Sequence, residues 1–396
     1  MKKRSRLLVF GMAGQAPFAG VAWQVLQYLE GFRRLGCDVF YIEDTGSWPY
    51  DPEKNTITSD PSYTVKYLAR LMACCGMEDQ WAYVSPAAAG YRTLGLSDVR
   101  LAQLLRESDV LVNLTGSTLL RDEHITVPIR IYLETDPVLR QVEIAQGKQS
   151  TIDLLSAHTH HFTYGENFGK PDCGVPVGGF HYRPTRPPVV LEWWRDGDEP
   201  VPTTYTTIAS WKQSGKDIEW KGETYTWSKH HEFVKYLNLP LRLKHPCELA
   251  LACGEPDAIE VMQETRGLLA SHGWRVVDAL QLSRAPYPYR DYIVRSRAEF
   301  TVAKDQNIRL RSGWFSDRSA CYLAASRPVV TQDTGFGKVL PVGQGLFDFR
   351  TMDDVMLAFE EIESDYGRHA RAARQIAEDY LRAETVLESL LSEVGV

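Results

Sequence analysis

Between Arg309 and Phe347 the chain reads RLRSGWFSDRSACYLAASRPVVTQDTGFGKVLPVGQGLF, and the residue types and their spacing suit the holding of an anion. Ser312-Gly313 predicts a turn that lets backbone approach a ligand, and Ser316 is a good N-cap for a helix over 317–325. Free N–H groups at such a helix start attract phosphate, and Lys304, Arg309, Arg311 and Arg318 add positive charge nearby. Arg327-Pro328 stops the helix, a buried strand restarts at 329–332, and Asp333-Thr334-Gly335 opens a second glycine turn.

Carboxylates at strand ends supply a second kind of chemistry. Asp136, just past a strand at 129–133, is placed to deprotonate an acceptor hydroxyl or amine, a step worth about 10²–10⁴-fold in rate. The other reading of Asp136 is a cap on the Asp-Pro turn, and Glu166 and Asp44 are rival bases. Trp48 and Tyr50, in the acidic aromatic loop 44–52, can stack on a sugar or planar group or cover a small apolar core. His158, His160 and His161 invite a zinc reading, but no further ligand follows at a familiar spacing, so no metal is expected.

The elements that must carry these residues alternate. A strand at 6–10, a glycine loop at 11–20, a helix at 21–35 and a strand at 38–42 make one βαβ unit of a parallel sheet. The loop GMAGQAPFAG lacks the GxGxxG spacing, which disfavours a dinucleotide site, and Gly14 and Gln15 are read as part of a floor for a ligand. More strands are expected at 110–114, 129–133 and 161–164, and helices at 62–74 and 96–107. The Pro-rich, charged stretch 184–203 reads as a linker between a first domain, 1–183, and a second, 204–369. The second alternates again, and helices at 352–363 and 368–393 close the chain.

Helix, strand, Asp333 to Gly337 and Gly343-Gln344-Gly345-Leu346-Phe347 together resemble the C-terminal half of group-1 glycosyltransferases of the two-Rossmann GT-B fold. The resemblance is strong over 298–391 and only topological over the first 180 residues. It implies two Rossmann-like domains facing each other across a cleft, with the helix from about 370 crossing back to the first domain. It also implies sugar transfer from a nucleotide-sugar donor, which is a substrate, with no resident cofactor. Donor contacts are then expected from Lys212, Lys229, Lys304, Arg309, Arg311, Ser312, Gly313, Ser316, Asp317, Asp333, Thr334 and Gly335, and acceptor contacts from Gly14, Gln15, Trp48 and Tyr50. Those enzymes carry two glutamates where this chain has Gly313 and Cys321, so either Asp317 substitutes or the donor is held differently. A nucleotide-sugar epimerase, a phosphorylase and a non-catalytic nucleotide- or sugar-binding protein are the alternatives on this fold.

Composition bounds the rest. The chain has 396 residues, enough for two domains with cores of their own. A net charge of -7 argues against binding a nucleic-acid polymer. The seven cysteines contain no CxxC, which points away from a disulfide framework and towards the cytoplasm. No apolar run is long enough for a membrane span. The expected partners are a nucleotide sugar and a small-molecule or glycan acceptor; a homodimer is left open.

Overall fold

The computed structural model of the chain describes residues 4–87, 90–195, 201–213, 215–252 and 258–396. Among them, eight strands form one sheet in the order β10-β9-β8-β7-β1-β2-β5-β6. These are β1 (Arg6–Phe10), β2 (Asp38–Glu43), β5 (Trp81–Ala87), β6 (Gly90–Gly95), β7 (Val110–Leu114), β8 (Ile129–Glu134), β9 (His160–Thr163) and β10 (Tyr182–Pro184). All neighbours are parallel except β5 and β6. Strands such as RLLVF and VLVNL are apolar almost throughout because both faces of a parallel sheet are covered by helices. A small hairpin, β3 (Tyr50–Asp51) and β4 (Thr56–Ile57), stands out from the loop after β2.

The second sheet has the order β15-β14-β11-β16-β17-β18 and is parallel throughout. It contains β11 (Tyr205–Ser210), β14 (Cys247–Ala252), β15 (Arg275–Asp278), β16 (Ala298–Thr301), β17 (Val329–Gln332) and β18 (Leu346–Phe349). A second hairpin, β12 (Ile218–Trp220) and β13 (Glu223–Tyr225), leaves the loop after β11. The expected strands are present to within a residue or two. After β16 the chain forms a short helix, Asp305–Arg309.

The two sheets are pressed together rather than strung on a linker. Within the stretch 184–203, Val189 bridges Arg382 and exchanges hydrogen bonds with the Leu381–Ala383 turn. Trp194 is fully buried against Trp23, with its indole N–H donating to Gln27. Apolar Val189, Val190, Leu191 and Trp194 outweigh the flanking prolines, so the described part of the linker is core. The closing helix is broken as well: Tyr366–Ile376, a π turn at Ala377–Leu381, then Ala383–Glu393. The last segment packs on the helix Ala19–Arg34, where a Cβ on Gly31 would lie 2.5 Å from Leu387, and Arg34 pairs with Glu384 at 2.9 Å. The C-terminal helix thus crosses back to the first sheet. No helix among the described residues is long and apolar enough to cross a membrane.

Candidate active site in the cleft

A cavity of about 960 Å³ opens between the sheets, past the carboxyl ends of β11 and β14. Its first-sheet wall is Phe18, Gly20 and Val21 at the start of the helix Ala19–Arg34, with Tyr50 and Ile57 from the β3–β4 hairpin. Its second-sheet wall is largely apolar, with Ile208, Ala279, Leu280 and Tyr289, and carries two cations, Lys229 and Arg318. Ligands gather at this end of parallel α/β sheets because the loops there are free of the strand ladder.

Both cations are held in place. Arg318 donates to Glu299 at 2.5 Å, to the Ile208 carbonyl at 2.6 Å and to Thr301 at 2.7 Å. Lys229 is half-buried, with its ammonium 5.2 Å from the Trp314 ring centroid and no carboxylate bonded to it among the described residues. Burial, with Arg318 and Lys304 nearby, pushes its pKa down to about 7. Lys304 sits deeper, paired with Asp136 and stacked on Trp227; burial lowers its pKa to about 8 against the pull of Asp136.

The glycine loop after β1 is anchored from below. Buried Glu43 accepts from Gly14 N–H at 2.7 Å, from Gln15 N–H and from the Tyr41 hydroxyl at 2.8 Å. Burial raises its pKa to about 7 in spite of those donors. Gln15 in turn accepts from Tyr50 N–H at 3.0 Å, so one buried carboxylate fixes both the loop and the root of the hairpin.

No family model matches this chain, and no curated protein matches it. Solved structures do. Anabaena Alr3699/HepE, in complex with UDP and glucose, is 12% identical over 99% of each chain with a TM-score of 0.58. AviGT4, a glycosyltransferase involved in avilamycin A biosynthesis, is 12% identical over 99% of each chain at 0.56. An alpha-glucosyltransferase in complex with UDP and a 13-mer DNA containing an HMU base is 11% identical over the whole of both chains at 0.58. This chain has the GT-B fold.

On that GT-B framework the residues singled out from sequence separate into three groups. Lys229 and Tyr50 line the cavity, and so does Arg318. A second group joins the two halves. Asp317 accepts from Gln24 at 3.0 Å and Tyr164 at 3.2 Å, and burial raises its pKa to about 6. Arg311 binds Asp172 and Asp333, each at 2.9 Å. Gly313 has φ +83 and a Cβ there would lie 2.4 Å from the Asn167 nitrogen, so the glycine serves the approach of a first-sheet loop and not of a ligand. The Ser312 carbonyl accepts from Asn167 N–H at 3.1 Å, and Gly335 lies against the Asn167 side chain.

A third group is occupied elsewhere. Asp44 is buried between Arg121 and His124; burial pushes its carboxyl up, but those partners hold it below its usual range. Glu166 is paired with Arg186 at 2.5 Å. Arg309 turns onto the second hairpin, pairing with Glu223 and covering the Tyr225 ring at 4.1 Å. Asp333 is spanned by Arg311, Arg350 and Gly335 N–H. Thr334 donates to the Trp314 carbonyl at 2.6 Å, and Ser312 to Asn307 at 2.8 Å. Ser316 precedes the helix Asp317–Ala324 without a side-chain cap bond, Lys212 lies outside the cavity lining, and Trp48 is an exposed ring. Gly14 and Gln15 use their N–H groups on Glu43, and a Cβ on Gly14 would meet Thr64 at 2.7 Å.

Sequence reasoning missed Tyr289, Leu280 and Ile57 as cavity walls. Ile57 carries a signal in hindsight, being an exposed apolar residue on a hairpin that reaches over the cleft. His158 precedes β9 and packs with His161 against Tyr132. Among the described residues no group of His, Cys, Asp and Glu is arranged to hold a metal.

Proposed function

We propose that this chain transfers a sugar from a nucleoside-diphosphate donor bound in the cleft to an acceptor held against the β3–β4 hairpin. The observation that carries the reading is the pairing of Lys229 and Arg318 on one wall of a large cavity at the carboxyl ends of parallel strands. Lys229 lacks a carboxylate partner among the described residues, and two cations can neutralise the charge that a departing diphosphate gathers as the glycosidic bond breaks. The likeness in fold to Alr3699/HepE, which binds UDP and glucose, supports the same assignment.

In this reading Ile208, Ala279, Leu280 and Tyr289 shelter the base and sugar from water, and Tyr50 and Ile57 face the acceptor. Asp136 pairs with Lys304 through one carboxylate oxygen and keeps the other without a hydrogen-bond partner among the described residues, but it lies outside the cavity lining, so the pair serves the contact between the two halves rather than the acceptor. The two cations do for the diphosphate what a divalent ion would do, so transfer proceeds in EDTA. The described cysteines are free thiols, in keeping with a cytoplasmic site of action.

The test is a thermal-shift screen with UDP, GDP, ADP, CDP and dTDP in EDTA, on the native chain and on Lys229→Met. A rise in Tm with one nucleotide that the variant loses supports the donor site and names the donor class. A native chain that no nucleotide stabilises rules the site out.

A further inference from the structure

The cleft does not end at the hairpin. A second chamber of about 420 Å³ shares Tyr50, Asn55, Ala252 and Leu280 with the first and continues outward between the β3–β4 hairpin and the helices Ala258–Ser271 and Ala279–Ser283. Arg266 and Arg284 line it. Asp278 lines it too, but its Oδ1 is engaged at 2.8 Å by Leu280 N–H as a helix cap.

Neither arginine has an ion pair or a hydrogen bond among the described residues. That sets them apart from the arginines around the inner cleft, where Arg318 is paired with Glu299, Arg311 with Asp172 and Asp333, Arg309 with Glu223 and Arg350 with Asp333. Acidic residues outnumber basic ones in this chain, 51 to 44, so carboxylates are not scarce. Both side chains are exposed and line the same chamber, and a guanidinium group there can pair with a planar or tetrahedral oxyanion.

We propose that the outer chamber binds a compact anionic group, phosphate or carboxylate, carried by the acceptor, so that the acceptor is a charged sugar or acid and not a neutral glycan. The inner chamber with Lys229 and Arg318 is then left to the donor, and the inference rests on that assignment for the word acceptor, though not for the anion site itself.

The experiment is calorimetric titration of the full chain, saturated with UDP, with glucose 6-phosphate, glucuronate and glucose, repeated on Arg266→Gln/Arg284→Gln. At least one anionic probe is expected to bind about 10-fold or more tighter than glucose, and the double variant to lose that margin while keeping its affinity for UDP. The stronger of the two anionic probes tells phosphate from carboxylate. Equal binding of all three sugars, or an undiminished preference in the variant, overturns the proposal. Failure of the donor reading is seen separately, as absence of stabilisation of the native chain by any of the five nucleoside diphosphates; if another diphosphate binds in place of UDP it takes UDP's place in the titration, and if none binds the anionic probes are titrated alone and read in the same way.

Discussion

Lys304 and Asp136, 168 residues apart, form an ion pair that joins the second sheet to the first. The pair is lopsided, because the lysine is buried under Trp227 while the carboxylate side chain is 41% exposed. Removing the carboxylate strands a buried cation; removing the lysine lets the carboxylate hydrate. Asp136→Asn is therefore expected to destabilise by about 1–3 kcal/mol and Lys304→Met by less than about 1 kcal/mol. Chemical denaturation of both single variants and the double variant measures this, and equal losses would refute the asymmetry.

Lys229 gives the cleft a pH dependence whose sign can be worked out. Its pKa is near 7 in the fold and near the ordinary lysine value, about 10.4, in the unfolded chain, so between those values the unfolded chain binds the extra proton. Stability contributed by this group accordingly rises with pH from about 7 upward. Diphosphate binding runs the other way, since the ammonium that attracts it is lost as pH rises through about 7. Nucleotide affinity measured from pH 6 to 9 should fall in the native chain more steeply than in Lys229→Met.

Glu43 is the anchor of the glycine loop. Glu43→Gln presents an amide N–H₂ where the carboxylate accepted from two backbone N–H groups and a tyrosine hydroxyl. A loss of about 1–3 kcal/mol is expected, together with weaker ligand binding, because Phe18 and Tyr50 hang from this loop. A variant with native Tm and native affinity would show that the loop holds itself.

Gly313→Ala tests whether the turn serves the contact between the halves. At φ +83 an added methyl is strained, and the nearest atom is backbone, which cannot swing aside. Destabilisation above about 1 kcal/mol is expected. A larger radius of gyration by X-ray scattering should accompany it; an unchanged profile would mean that the Asn167 loop adjusts locally.

By itself the sequence determined β1, β2, β7, β8 and β9 of the first sheet, the alternation of the second, the parallel β1–β2 crossover and a helical C-terminus, but not β5, β6, β10 or β18 nor the break in the last helix. Apolar runs bounded by glycine and proline are local signals, and a right-handed βαβ connection follows from chain chirality. It also marked the basic stretch 304–318 as electrostatically special. Only the tertiary structure decided which of those charges face a ligand. Arg309 and Arg311, two residues apart, are drawn to opposite partners, Glu223 on a hairpin and Asp172 on a first-sheet loop, whereas Lys229 and Arg318 come from different elements and meet on one wall. The linker-like stretch turned into core for the same reason: Trp194 finds Trp23 only when the chain has folded back. Periodicity is written residue by residue, but the pairing of a charge depends on which distant carboxylate the fold brings within about 4 Å, and no local pattern carries that information.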